Sequence, residues 1–368
     1  MTENLWYEEG QAKFRVGRAF YNPASKLVRD LGVLAATIYR QDSGSLRVLD
    51  ALGGCGVRSL RYFHEAKADY IWLNEGNPDN RLTIEQNLKS AINSDRLRLT
   101  YQDAHRVFFS CYDRRDYYDL VDVDCFGSAV PYLNTMLYAA KIGGLMYLTS
   151  TDGRTLTGHP PQKSVAVYGA IARSHPARHE QALRLLIGAT QQQASARGLG
   201  IQPIFSLFTG KTYRLMLRLL PKPSINESNY GFLGYCHHCG NYQTITWRQL
   251  NRVSCSCPNP KVTVSGAMWL GDLHDFQLIQ RYIDLAQKLG WQKTVNLLKT
   301  MAGEIGLPPC FYTLQEIGKH AQSDLPKRSH LIEMLQEKSY QAAPTHINPQ
   351  AIKTNASIHS IIDCLKNN

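Results

Sequence analysis

No apolar stretch in the 368 residues is long enough to cross a bilayer as a helix, which takes about 20 consecutive apolar residues. The opening residues, MTENLWYEEG, are polar and acidic and lack the basic start and apolar run of a signal peptide. A soluble cytoplasmic protein without membrane attachment is therefore expected. Acidic side chains are few, with 30 Asp and Glu against 41 Lys and Arg and a net charge of +11. That imbalance points to an anionic partner, and nucleic acid is the commonest large one, although a basic enzyme without such a partner also fits the charge alone. No repeat or low-complexity tract is present. Cysteine is thinly spread except in one place: Cys55, Cys111, Cys125, Cys310 and Cys364 are scattered, whereas Cys236, Cys239, Cys255 and Cys257 fall in one short stretch. In a cytosolic chain such a cluster favours a metal over disulfides.

What is present is a long alternation. Hydrophobic residues make up 43% of the chain, enough for a sizeable core, and the length suits two domains or a domain with an appendage. After an aromatic and basic lead-in and a helix over 23–40, short apolar runs at 47–52, 70–74, 97–101, 118–124 and 144–150 read as strands. Helical patterns lie between them at 58–66 and 77–91 and return at 179–196. Strands at 201–206 and 213–219 close the block. Strands alternating with helices predict βαβ units and a mostly parallel sheet covered on both faces. The run PKPSINESN (221–229) has linker composition. This divides the chain into an α/β domain over 1–222 and a smaller domain over 223–368, with helices expected at 314–320 and 327–337.

The segment VLDALGGCGVRSLRY (48–62) reads as a strand, a tight turn and a helix start. Gly53, Gly54 and Gly56 permit close backbone approach and unusual dihedrals, so a ligand carboxylate or phosphate can meet the amides there. Such a turn is common to many nucleotide-binding sheets. The strand ends that follow sharpen it. Glu75, at the end of the second strand, is placed to accept hydrogen bonds from ribose hydroxyls. Asp103, at the end of the third, can reach an adenine amino group. No Walker-type lysine follows the glycines, which excludes a P-loop, and a nicotinamide cofactor leaves Asp103 unexplained.

The fourth strand ends in VDVDCFGSAVPYL (121–133). Asp124 there would project into the cleft, where it could accept hydrogen bonds from an amine awaiting a methyl group. Phe126 could stack on a base. A plain helix cap is the competing reading of Asp124.

These segments together resemble the tRNA guanine-26 N2-dimethyltransferase family. The resemblance runs through GRAFYNPASKLVRDLGV (17–33), DALGGCGVRS (50–59), NEGNP (74–78), DCFGS (124–128), Thr151-Asp152, Tyr168-Gly169, 182–189 and 212–219. It continues through the cysteine cluster, GAMWLGDLHD (266–275), Leu307-Pro308-Pro309 and Thr345-His346, and so covers nearly the whole chain. It implies a Rossmann-like class I methyltransferase sheet, with a C-terminal zinc-containing, helix-rich domain that helps to hold tRNA. It implies S-adenosylmethionine as cofactor, with contacts from Arg29, Asp50, Gly53, Arg58, Glu75, Asp103 and Ala104. Asp124 would be the catalytic carboxylate, and Phe20 and Phe126 would hold the target guanine, which must leave its stack to be reached. Arg29 and Arg58 suit the methionine carboxylate, because guanidinium pairs with carboxylate bidentately. The sequence departs from the family at Cys125 and Ala129, where proline is usual, and at Val28, where asparagine is usual.

The cysteine cluster reads as a tetrahedral zinc site. Cys236 and Cys239 have the usual two-residue gap, fifteen residues separate them from the second pair, and Cys255 and Cys257 have a gap of one. His237 or His238 could replace a ligand. Four ligands leave no open position, so the role is structural. In the tail, Lys319, Lys327, Arg328, Lys338 and Lys353 either grip phosphates or form a solvated face. The expected partner is tRNA and the expected state a monomer. Two other functions fit parts of the pattern. One is a methyltransferase acting on an amino group of DNA or protein, since Asp-Cys-Phe-Gly lies near the Asp/Asn-Pro-Pro-Tyr pattern. The other is a catalytically silent RNA-binding relative.

Overall fold

The computed structural model describes residues 5–92, 95–322 and 324–366. Its centre is a seven-stranded sheet of β1 (Arg47–Asp50), β2 (Tyr70–Asn74), β3 (Leu97–Thr100), β4 (Tyr118–Val123), β5 (Ala140–Ser150), β6 (Gly200–Phe208) and β7 (Tyr213–Leu220). The order is β3-β2-β1-β4-β5-β7-β6, parallel from β1 to β5, with β7 antiparallel to both β5 and β6. The strand order reverses between β1 and β4, and in open α/β sheets the crevice at that point is where ligands bind.

Alternation along each strand sends successive side chains to opposite faces. Leu49, Trp72, Val121 and Met146 enter one core, and Val48, Ile71, Leu120 and Leu145 enter the other. β4 is buried along its whole length, as a strand covered on both sides must be. Helices α1 (Lys26–Ser43), α2 (Val57–His64), α3 (Arg81–Asn87), α4 (Ala104–Asp113) and α5 (Arg178–Ser195) supply the cover. Helix α1 stops where Gly44 takes a left-handed φ of 77°, and its N–H returns to the Arg40 carbonyl.

The N-terminal lead-in forms a hairpin that sequence patterning did not anticipate, pairing Trp6–Glu9 with Ala12–Arg15. Beyond the linker, β8 (Tyr230–Cys236), β9 (Tyr242–Ile245) and β10 (Val262–Trp269) form a three-stranded antiparallel sheet in the order β9-β8-β10. The chain then returns to the first unit. Ile279, Tyr282 and Ile283 on α6 (Phe276–Lys288), with Val295 and Leu298 on α7 (Gln292–Glu304), join the core beside α1. The final segment carries α8 (Leu314–Ala321), α9 (Arg328–Glu337) and α10 (Ile358–Lys366) around a small three-stranded sheet with its own apolar core. No helix among the described residues is long and apolar enough to cross a membrane.

Candidate active site and candidate metal centre

A cleft of about 1030 Å³ opens at the carboxyl ends of the parallel strands. The glycine turn after β1 forms its floor. Gly54 and Gly56 take φ values of 56° and 84°, which L side chains rarely adopt. A Cβ at Gly53 would lie 2.7 Å from Leu73 Cγ, so the turn packs tightly against β2. The Glu75 carboxylate accepts hydrogen bonds from the backbone N–H groups of Gly54 (2.7 Å) and Asn77 (2.8 Å), which fixes it at the cleft edge. Asp103 is exposed at the end of β3 and caps α4 by accepting from the His105 N–H. It and Ala104 stand apart from the residues that line the cleft.

Asp50 is placed differently from a cofactor contact. It is fully buried beneath the turn and accepts a hydrogen bond from Ser59 Oγ at 2.8 Å. Burial, with the Asp122 charge on the neighbouring strand, pushes its carboxyl up to about 7. Its influence on the cleft therefore runs through the turn and α2. Arg29 lines the cleft, and Glu9 of the N-terminal hairpin holds it through a bidentate pair at 2.7 and 2.5 Å. Arg61 joins the same Glu9 at 2.9 Å. The hairpin thus fixes the guanidinium expected to meet the cofactor carboxylate.

Arg58, read from the sequence as a second carboxylate partner, is committed to the protein's own acids. Its Nη1 lies 2.9 Å from Asp122 and its Nη2 2.8 Å from Asp124. The other Asp124 oxygen accepts from Arg214 Nη1 at 3.0 Å, and the same nitrogen reaches Thr149 Oγ1 at 2.6 Å. Burial raises the Asp124 carboxyl, but the charges of Arg58 and Arg214 outweigh it and hold the group well below the usual carboxylate range. Asp124 is therefore an ionised acceptor at the cleft, not a helix cap.

Phe20 and Phe126 come together across the mouth, edge to face, with centroids 5.0 Å apart. Hydrogen bonds hold the turn that carries Phe126, where Cys125 and Ala129 stand. The Cys125 thiol donates to the Thr149 carbonyl at 3.0 Å, and Gly127 exchanges hydrogen bonds with Thr151 at 2.7 and 2.8 Å. Ala129 is fully buried behind it. Sequence reading missed Glu9, Asp122, Thr149 and Arg214. The one visible signal was an arginine at the head of the apolar run YRLMLRLL (213–220).

The four clustered cysteines converge. Sγ of Cys236 lies 3.6 Å from that of Cys257, and Sγ of Cys239 lies 3.5 Å from that of Cys255. A tetrahedral zinc with Zn–S near 2.3 Å sets its sulfurs about 3.8 Å apart, so the donors fit that ion. Neither histidine joins the group: His237 bonds Thr263 Oγ1 at 3.0 Å, and His238 is exposed. A second group, His274, Glu304 and His346, has ligand chemistry but shares its hollow of about 10 Å³ with Lys353 and Arg184, and those charges oppose a cation. Of the basic tail residues, Lys319, Lys327 and Lys338 are exposed. Lys353 is not available to phosphates: it is buried and bonded to Glu180 at 2.5 Å.

The sheet order, the glycine turn, the acidic end of β2 and the carboxylate after β4 define a Rossmann-like class I methyltransferase. Within that class, the chain belongs to the N2,N2-dimethylguanosine tRNA methyltransferase family, whose model matches residues 7–366. It is 27% identical to the tRNA (guanine(26)-N(2))-dimethyltransferase of Pyrococcus horikoshii, covering 99% of this chain and 98% of that one. It is 28% identical to the Thermococcus kodakarensis protein of the same name, covering 98% of each. Among solved structures, Trm1 from Pyrococcus horikoshii in complex with S-adenosyl-L-methionine superposes with a TM-score of 0.85 at 26% identity, covering 98% of this chain and 99% of that one.

Proposed function

We propose that this protein transfers one or two methyl groups from S-adenosylmethionine to the exocyclic N2 amine of guanine 26 in tRNA, in the cytoplasm. The observation that carries the reading is that Asp124 lines the same cleft as the glycine turn and the exposed Phe20–Phe126 pair. The bound cofactor supplies an electrophilic methyl group on sulfur. The glycine turn gives it close backbone approach, Arg29 a partner for its carboxylate and Glu75 an acceptor for ribose, while Asp103, outside the residues that line the cleft, offers an acceptor for adenine at the next strand end. Phe20 and Phe126 receive the guanine once it has left its stack. Asp124, with the backbone carbonyl beside it, accepts hydrogen bonds from N2 and aims its lone pair at the methyl carbon. Positioning of this kind, with no covalent intermediate, supplies most of the catalysis such a transfer needs.

In the same reading, residues 1–222 carry the chemistry. Residues 223–368 carry a structural zinc on Cys236, Cys239, Cys255 and Cys257, together with part of the tRNA grip. The test is transfer of labelled methyl from S-adenosylmethionine to unmodified tRNA transcripts, with the modified nucleoside and its position identified. Methylated guanosine at position 26 is the expected product. No transfer to any tRNA by protein that binds the cofactor would overturn the reading.

A further inference from the structure

Arg214 stands at the head of β7, opposite the end of β5 in the antiparallel pair Thr149↔Arg214. It is only 4% exposed. A buried arginine has to be paired, and the partner it meets through Nη1 is Asp124 Oδ1 at 3.0 Å. Thr149 Oγ1 receives the same nitrogen at 2.6 Å and holds it in place. On the other side, Arg58 closes Asp124 Oδ2 through Nε at 3.0 Å and Nη2 at 2.8 Å. The carboxylate is thus gripped on both oxygens by groups from two elements, α2 and β7. The side chain nevertheless keeps 29% of its surface exposed, and it lines the cleft.

We propose that Arg214 is a positioning residue for methyl transfer: together with Arg58 it locks Asp124 as a permanently ionised hydrogen-bond acceptor aimed at the amine, and so bars it from serving as the base. This inference rests on the methyltransferase reading of the cleft. In the step, the bond from N2 to the methyl carbon forms as the bond from that carbon to sulfur breaks. The thioether leaves, and the proton shed by N2 passes to water. Asp124 orients N2 and offsets the positive charge that develops on it. The other groups around Asp124 are Asp122 on β4, Asp50 on β1, Tyr147 on β5 and the adjacent Cys125, all of them acids. Against them stand the charges of Arg58 and Arg214, which lead the opposition to protonation of Asp124, and a hydrogen bond from the Thr149 side chain.

Arg214→Gln removes one of these two charges and keeps a polar side chain. The experiment measures kcat against pH with tRNA, alongside cofactor binding by calorimetry. Arg214→Gln is expected to lower kcat at neutral pH roughly 10- to 100-fold, the scale of a misplaced reacting group. The Kd for S-adenosylmethionine should stay within about twofold, while the acid limb of kcat moves to higher pH. Arg214→Lys, which keeps the charge but loses the fork, should recover part of kcat and most of the acid limb. Should Arg214→Gln fail to fold, Thr149→Val carries the test. It removes the hydroxyl that holds the guanidinium and also bonds Asp124, leaves both arginine charges in place, and should shift the acid limb in the same direction by less. A folded Arg214→Gln that binds cofactor with wild-type kcat, or one whose kcat falls while its acid limb stays in place, overturns the proposal. Absence of transfer by the wild type would instead overturn the function itself.

Discussion

Phe20 and Phe126 meet edge to face at the cleft mouth, yet they are 67% and 70% exposed, although they come from chain segments more than a hundred residues apart. Large aromatics held in water at a cleft entrance present unspent stacking surface. Stacking on a base is worth about 1–3 kcal/mol per ring. Phe126→Ala and Phe20→Ala should each raise KM for tRNA roughly 5- to 150-fold and leave the Kd for S-adenosylmethionine nearly unchanged. Steady-state kinetics with tRNA and a cofactor titration check this. Unchanged KM in both variants would remove the rings from substrate binding.

Asp124 sits where three requirements cross: it faces the cleft, it is ionised, and two arginines fix its orientation. Asp124→Ala should lower kcat by roughly 100-fold or more and leave cofactor affinity nearly unchanged. It should also lower the melting temperature, because Arg214 is then left buried without its carboxylate. Single-turnover methyl transfer and a thermal melt measure the two effects. Normal turnover in this variant would remove the catalytic assignment.

The alternation of strands and helices was legible because a two-residue period and a 3.6-residue period leave different marks on apolar patterning. The glycine turn, Glu75 and Asp124 were legible because each sits at a strand end. Other features depend on long-range partners that no local pattern encodes. Arg214 meets Asp124 across 90 residues, and Lys353 meets Glu180 across 173. A lysine in a polar tail reads as solvated, and only the fold reveals that Lys353 is buried. The hairpin of Trp6–Glu9 with Ala12–Arg15 escaped for a related reason. Its strands are short and polar on the outer side, and what it does, holding Arg29 through Glu9, appears only when the chain is folded.

The cysteine cluster makes a prediction of its own. Sulfurs 3.5–3.6 Å apart are too far for a disulfide and too close for four free thiolates. Elemental analysis should find one zinc per chain, and Cys239→Ser should lose it. Structural zinc contributes folding energy directly, so a strong chelator should lower the melting temperature of the wild type while barely moving that of the variant. Metal-free protein with an unaltered melt would sink the zinc assignment.

Glu180 ties the two parts of the chain together. It is fully buried on α5 and accepts from Lys353 at 2.5 Å, Arg184 at 2.8 Å and the Cys310 N–H at 2.8 Å. Burial raises its carboxyl, but the charges of Lys353 and Arg184 prevail and bring it down to about 2, from an ordinary 4.5. The folded state therefore binds this proton less readily than the unfolded chain. Its stabilisation is complete above pH 4.5 and drains away as the pH falls towards 2. A shift of this size corresponds to roughly 3 kcal/mol. Glu180→Gln cannot titrate, so the gap in unfolding free energy between wild type and variant should shrink by about that amount across the window. Lys353→Met should cost about 3–5 kcal/mol at neutral pH, because it leaves the carboxylate with a single compensating charge. Urea unfolding of the three proteins at several pH values measures both effects. A gap that stays constant with pH would show that folding leaves the Glu180 carboxyl unshifted and that the network is not the clamp between α5 and the tail.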